Sequence, residues 1–150
     1  MSGVNEIKLE FKSRSENVVI ARSLVTAVVS LADVRLSELD EIKLAVSEAI
    51  SNAIIHAYAG ADNGKIKMTV RLDGLFLSVE IEDFGCGIVD IRRALEPGVS
   101  DNDERMGLGF AFMQAMMDKL EVRSTVGVGT AVYMEKMLGE AASSGEDSEL

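Results

Sequence analysis

Glu48 and Asn52 stand four residues apart in an otherwise apolar stretch. On a helix that spacing brings two side chains to about 5–6 Å at their Cβ atoms on one face. Two glycine-bearing segments follow, Asp83-Phe84-Gly85-Cys86-Gly87 and Gly107-Leu108-Gly109-Phe110. Each piece has a structural reading and a chemical one. The Glu48/Asn52 pair is either a solvated helix edge or a site where the Asn52 carbonyl oxygen ligates Mg²⁺ while Glu48 orients or deprotonates a hydroxyl. Magnesium takes oxygen ligands and fills its shell with water and substrate phosphate. An amide suits it where a further negative charge beside a triphosphate would be costly. Asp83 either opens a turn or accepts from the exocyclic amine of adenine, with Gly85 and Gly87 letting the base lie against the backbone. Gly107 and Gly109 either cap a helix or open one whose free N–H groups hold phosphate. Arg105, two residues before Gly107, is either a surface cation among Asp101, Asp103 and Glu104 or a planar donor for phosphate oxygens. Thr130 is either a plain strand residue or a hydroxyl reaching the base. The sum is a nucleotide site with a metal and a base beside it.

Those residues need elements to hold them. Ile7, Leu9 and Phe11 alternate with charged residues and predict a half-buried strand. Ser13 or Ser15 is positioned to cap a first helix carrying Val18, Val19, Leu24, Val25, Val28, Val29 and Leu31. Ser37 marks the start of a second helix, whose apolar positions from Leu39 to Ile54 recur at three- and four-residue steps and which ends near Tyr58-Ala59-Gly60. Asn63-Gly64 and Asp73-Gly74 bracket a strand over Lys65–Arg71, and Leu75–Asp83 is its hairpin partner. Residues 89–106 read as a mobile loop with a short helix at Ile91–Leu95. A helix over Leu108–Met117 and strands near Leu120–Thr125 and Thr130–Met137 complete the chain. Met113, Met116 and Met117 read as core. The order predicts an α+β fold, a two-layer α/β sandwich with a mostly antiparallel mixed sheet and helices on one face. Residues 1–138 form one domain, and 139–150 read as an acidic disordered tail.

The totals narrow the function. At 150 residues and 47% hydrophobic the chain can bury a core. A formal charge of −10 argues against direct nucleic-acid binding, which needs clustered Lys and Arg. It also repels nucleotides at long range, so any phosphate site works locally. No apolar run reaches the roughly 20 residues of a membrane span. The N-terminal residues show no secretory signal, and the single cysteine, Cys86, permits no internal disulfide; both fit a cytoplasmic protein. Cys86 reads as a small loop filler and the single histidine, His56, as structural. Walker-type, protein-kinase and serine-hydrolase motifs are missing from the sequence.

In this order the pieces resemble the ATP-binding family shared by gyrase B, Hsp90, sensor histidine kinases and MutL, whose architecture is the Bergerat-type ATP-binding fold. Within it, Ser47-Glu48-Ala49-Ile50-Ser51-Asn52-Ala53-Ile54-Ile55-His56-Ala57-Tyr58 is similar to the helix motif of the small anti-sigma serine kinases. Ala21-Arg22, Asp83-Phe84-Gly85-Cys86-Gly87-Ile88, Glu104-Arg105 and Gly107-Leu108-Gly109-Phe110 point to the sporulation branch. The resemblance spans about residues 6–138. It implies a homodimeric serine protein kinase using ATP and Mg²⁺, yielding ADP, that holds a sigma factor and phosphorylates an anti-anti-sigma factor. Glu48 is then the general base, Asn52 the metal ligand and Asp83 the adenine reader. Gly107, Leu108, Gly109, Phe110 and Arg105 face the phosphates, and Arg22 meets protein partners. The segment Pro97–Asp103 is shorter than the lid of close relatives and lacks their Thr-Thr-Lys-Pro-like run. Alternatives are a general-stress anti-sigma kinase of the same family and a nucleotide-dependent binding module without phosphotransfer. Gly87 favours the sporulation branch and Glu48 favours transfer. A sensor histidine kinase would need a sensor segment, a membrane span and a phospho-accepting hairpin.

Overall fold

The structure, a computed structural model, describes residues 3–96 and 104–139, with the side chains of residues 104–107 outside that description. Its elements are β1 (Asn5–Lys12), α1 (Glu16–Val29), α2 (Leu36–Asn52), a π-helical extension of α2 (Ala53–Ala57), β2 (Lys65–Asp73), β3 (Phe76–Asp83), α3 (Ile91–Leu95), α4 (Glu104–Met116), β4 (Lys119–Thr125) and β5 (Gly129–Met137). Five strands form one sheet in the order β1-β2-β3-β5-β4. All four pairings are antiparallel, so the character expected for most of the sheet extends across it.

Period-two patterning assigns the sheet faces. In β2, Ile66, Met68, Val70 and Leu72 are buried, while Lys65, Lys67, Arg71 and Asp73 between them are exposed. The helices cover the apolar face. From α2 come Ile42, Ala45, Val46, Ala49 and Ile50, from α1 Ala21, Val25, Val28 and Val29, and from α4 Phe110 and Met113. The other face carries cross-strand ion pairs, Arg71 to Glu6 at 2.5 Å and Arg123 to Glu80 at 2.6 Å. No helix among the described residues is long and apolar enough to cross a membrane.

Several local expectations change. Val19 on α1, and Leu31 beyond it, face solvent rather than the core. Ser15 sits at the α1 cap but makes no capping bond. Ser13 is buried instead, donating to Ala61 O at 2.5 Å and accepting from Gly64 N at 3.0 Å. Helix α2 starts at Leu36, with Arg35 rather than a serine at its cap. It stops where expected, with Ala59 and Gly60 both in the left-handed region. Helix α4 begins at Glu104, four residues before the expected Leu108, so Gly107 and Gly109 lie within it and not at its start. The lid segment Pro97–Asp103 and tail residues 140–150 lie outside the described residues.

Candidate nucleotide site

The sharpest local fact is an unsatisfied amide. Asn52 is 8% exposed, and its Nδ2 has no hydrogen-bond partner among the described residues. A buried amide left unpaired costs about 1–3 kcal/mol. Its place in the chain explains how it is held there. Asn52 closes the regular part of α2, and the widened π turn that follows interrupts the helix beside it, a defect that recurs at functional sites. One turn earlier on the same face is half-buried Glu48. Opposite both lies Gly109 of α4, where an added Cβ would come within 3.0 Å of Glu48 Oε1 and 3.2–3.3 Å of the Asn52 amide atoms. A glycine inside a helix costs about 0.5–1 kcal/mol relative to alanine. Here it lets the backbone of α4 approach a carboxylate and a carboxamide. That contact replaces the helix-start role expected of Gly109.

From Asn52 a cavity of about 280 Å³ runs toward the ends of β3 and β5. That volume lies near the lower end for small-molecule sites and suits a purine nucleoside. Its walls are apolar at Ala49, Ala53, Ile81, Ala94, Phe110 and Val132, and its far end is polar at Asp83 and Thr130. Asp83, 7% exposed, accepts on Oδ1 from Gly85 N at 3.0 Å and Thr130 N at 3.2 Å. Both backbone donors fall on one oxygen, Oδ1. Burial lifts the Asp83 carboxyl above its usual range, and the two N–H groups oppose that lift.

The loop after Asp83 is fixed by the chain itself. Gly85 was expected to make room for a base. It instead packs on the π segment, where a Cβ would sit 2.3 Å from Ala57 O. Gly87 lines the cavity but is also pressed against the Thr125 carbonyl. Gly129 passes so close to Asp83 that a Cβ would lie 2.1 Å from its carbonyl oxygen. The Tyr58 hydroxyl, donating to Lys65 O at 2.5 Å and accepting from Phe84 N at 2.7 Å, ties the loop to the start of β2.

Of the residues singled out from sequence, Asn52, Asp83, Gly87, Phe110 and Thr130 line one cavity, and Glu48 and Gly109 meet beside it. Leu108 is exposed and lies outside the lining. The side chain of Arg105, and the surroundings of Gly107, fall outside the described residues. Arg22 lies away from the cavity on α1, its Nη1 donating to Ser47 Oγ at 3.4 Å. Cys86, in the loop after β3, is exposed and lines the cavity with His56. Arg93 also lines the cavity. The role of Tyr58 carried no sequence signal, because its hydroxyl acts through a contact between distant segments. Among the described residues there is no cluster of three or more His, Cys, Asp or Glu able to hold a metal. A magnesium ion bound here would therefore depend on Asn52 and on phosphate oxygens, which agrees with its preference for few protein ligands.

Comparison with known proteins follows the same lines. Residues 11–136 match the family described as the histidine kinase-like ATPase domain. An anti-sigma F factor of Pasteuria penetrans is 42% identical over 137 residues, covering 89% of this chain and 91% of that one. An anti-sigma F factor of Clostridium novyi is 39% identical over 140 residues, covering 92% and 97%. In shape, the chain is similar to the RsbU and RsbW domains of a Mycobacterium tuberculosis protein. The TM-score is 0.65 at 16% identity, over 89% of this chain and 32% of that one. It is also similar to the histidine kinase domain of a blue-light activated kinase of Erythrobacter litoralis, with a TM-score of 0.56 at 22% identity over 83% and 60%. These two likenesses concern the fold.

Proposed function

The chain belongs to the histidine kinase-like ATPase family, in the branch of the anti-sigma F factors, and from that premise we propose an anti-sigma factor that is also an ATP-dependent serine protein kinase. It sequesters a sporulation sigma factor and phosphorylates a serine of an anti-anti-sigma partner, acting as a homodimer. The observation that carries the reading is the buried Asn52 carboxamide, whose Nδ2 has no hydrogen-bond partner among the described residues. It is buried beside the Glu48 carboxylate, against a helical glycine, at one end of a cavity whose other end offers a carboxylate acceptor. A buried group without a partner is a stored cost that a ligand relieves.

The residues present fit ATP and Mg²⁺. An amide presents either its oxygen or its nitrogen after a flip, and its oxygen is a suitable magnesium ligand. The bound nucleotide and metal supply the phosphoryl group and neutralise its charge. The protein's own part is positioning. Asp83 accepts from the amino group of the base, and the apolar walls exclude water from its faces. Asn52 orients the metal. Glu48 accepts the proton of the acceptor serine, a contribution of about 10²- to 10⁴-fold. Arg105 and the backbone from Gly107 to Phe110 are assigned to the phosphates. Arg22, one helix away and bonded to the residue before Glu48, is assigned to partner contact.

The test is a transfer assay on an acceptor recovered by pull-down from the native cell, first with ATP and then with ADP. Expected is recovery of a sigma factor and of a small acceptor that gains phosphoserine with wild-type protein. Glu48→Ala should bind ATP and leave the acceptor unmodified. Undiminished phosphoserine with Glu48→Ala would overturn the assignment.

A further inference from the structure

Ser124 of β4 stands outside every role assigned above, and its hydroxyl sits at a three-way junction behind the cavity. Ile88 N, from the loop that walls the cavity, donates to Ser124 Oγ at 2.7 Å. Gly129 O lies 3.1 Å away as an acceptor. Thr130 Oγ1 lies 2.8 Å away, with either hydroxyl able to donate. Ser124 and Thr130 are direct partners in the β4–β5 register, which holds the two hydroxyls together.

A serine hydroxyl has one proton and two acceptor positions. With Ile88 occupying one position, two settings remain. In the first, Ser124 donates to Gly129 O and accepts the Thr130 proton. In the second, Ser124 donates to Thr130, and the Thr130 proton is released toward the cavity. The first setting satisfies more groups when the cavity offers no acceptor. The second turns Thr130 into a donor beside the Asp83 carboxylate, to which the Thr130 backbone N–H is already bonded at 3.2 Å. An acceptor next to a donor complements one purine edge, the adenine amino group beside ring nitrogen N1. Guanine reverses both positions, with the O6 acceptor where adenine has its amino group and an N1–H donor where adenine has an acceptor, and so mismatches it.

Resting on the nucleotide reading, we infer that Ser124 is a positioning residue for base selection: it directs the Thr130 proton to N1 of an adenine ring. It touches no ligand itself. The test measures calorimetric affinity for two probes, ATP and 1-deaza-ATP, which lacks the N1 acceptor. Wild-type protein should prefer ATP by about 10-fold, the size of one neutral hydrogen bond. Ser124→Ala should shrink that preference to about 2-fold, while Ser124→Thr, which keeps the hydroxyl, retains it. A structural role alone would lower both affinities equally and leave the preference intact, which would overturn the inference. Equal binding of both probes by wild-type protein would overturn it as well, while leaving the nucleotide site standing. Binding of neither probe would end the nucleotide reading and this one with it.

Discussion

The two ends of the cavity are built on opposite plans. At the β3–β5 end every backbone approach is closed by the chain: Gly85 on Ala57, Gly129 on Asp83, and the Tyr58 hydroxyl between Lys65 and Phe84. At the α2–α4 end the approach of Gly109 leaves a carboxylate and a carboxamide facing a helix backbone, with the amide nitrogen unpaired among the described residues. On the proposed reading the first end is preorganised to recognise a base without rearranging, and the second is completed by the nucleotide and metal, as expected of a place where charge arrives and departs. Substitutions should therefore separate the two, with stability failing at the first end and chemistry at the second.

The largest effect belongs to Glu48. Glu48→Ala should slow serine transfer by about 10²- to 10⁴-fold with nucleotide affinity nearly unchanged. If Asn52 holds the metal as proposed, Asn52→Ala should lower magnesium-dependent ATP affinity roughly 100-fold, because a ligand to a doubly charged ion is lost. Its melting temperature should not fall, since Nδ2 gives up no bond. ATP binding by Asn52→Ala that is equal to wild type would remove the metal assignment and with it the contrast. At the other end, Gly129→Ala should cost about 2–3 kcal/mol through collision with the Asp83 carbonyl, lowering the melting temperature by about 5–10 °C. Gly109→Ala sharpens the comparison. Its nearest obstacle is the flexible end of Glu48 at 3.0 Å, and alanine gains up to about 1 kcal/mol of helix propensity. Its stability should hold while transfer declines, read by thermal melting beside the phosphoserine assay.

This division explains what could be read from the sequence. Period-two and helical patterning located β1, β2, β3 and α2, because burial of one face acts on residues close in the chain. Glu48 and Asn52 were legible as a pair for the same reason. The start of α4 was not, because local rules place glycine at a helix end, and only the distant side chains of α2 explain a glycine inside. Gly85 was visible as a loop residue, but its reason, the carbonyl of Ala57, lies 28 positions back along the chain. Ser124 and Tyr58 carried no signal, since an isolated hydroxyl gains meaning only from the segments that meet it.

The smallest expected effect concerns Asp83 and tests how self-contained the base end is. Burial raises its carboxyl pKa above the ordinary 3.8; the N–H groups of Gly85 and Thr130 oppose that rise without cancelling it, and the charge of Glu82 adds to it. A carboxyl whose folded pKa is raised is harder to ionise in the fold than in the unfolded chain. Its charge therefore lowers stability, fully so at pH above the folded pKa, and that penalty disappears as pH falls below 3.8. Asp83→Asn removes the penalty and keeps an oxygen for both backbone donors, so its melting temperature at pH 7 should equal or exceed that of the wild type. Nucleotide affinity should meanwhile fall, because an amide nitrogen can turn a donor toward the amino group of the base. In the wild type, affinity should also fall as pH drops through the raised pKa, since the protonated carboxyl loses an acceptor. A lower melting temperature for Asp83→Asn at pH 7 would mean that the charge itself holds the β3–β5 end together. The base end would then lean on its own ionisation, and the contrast with Asn52 would be one of degree.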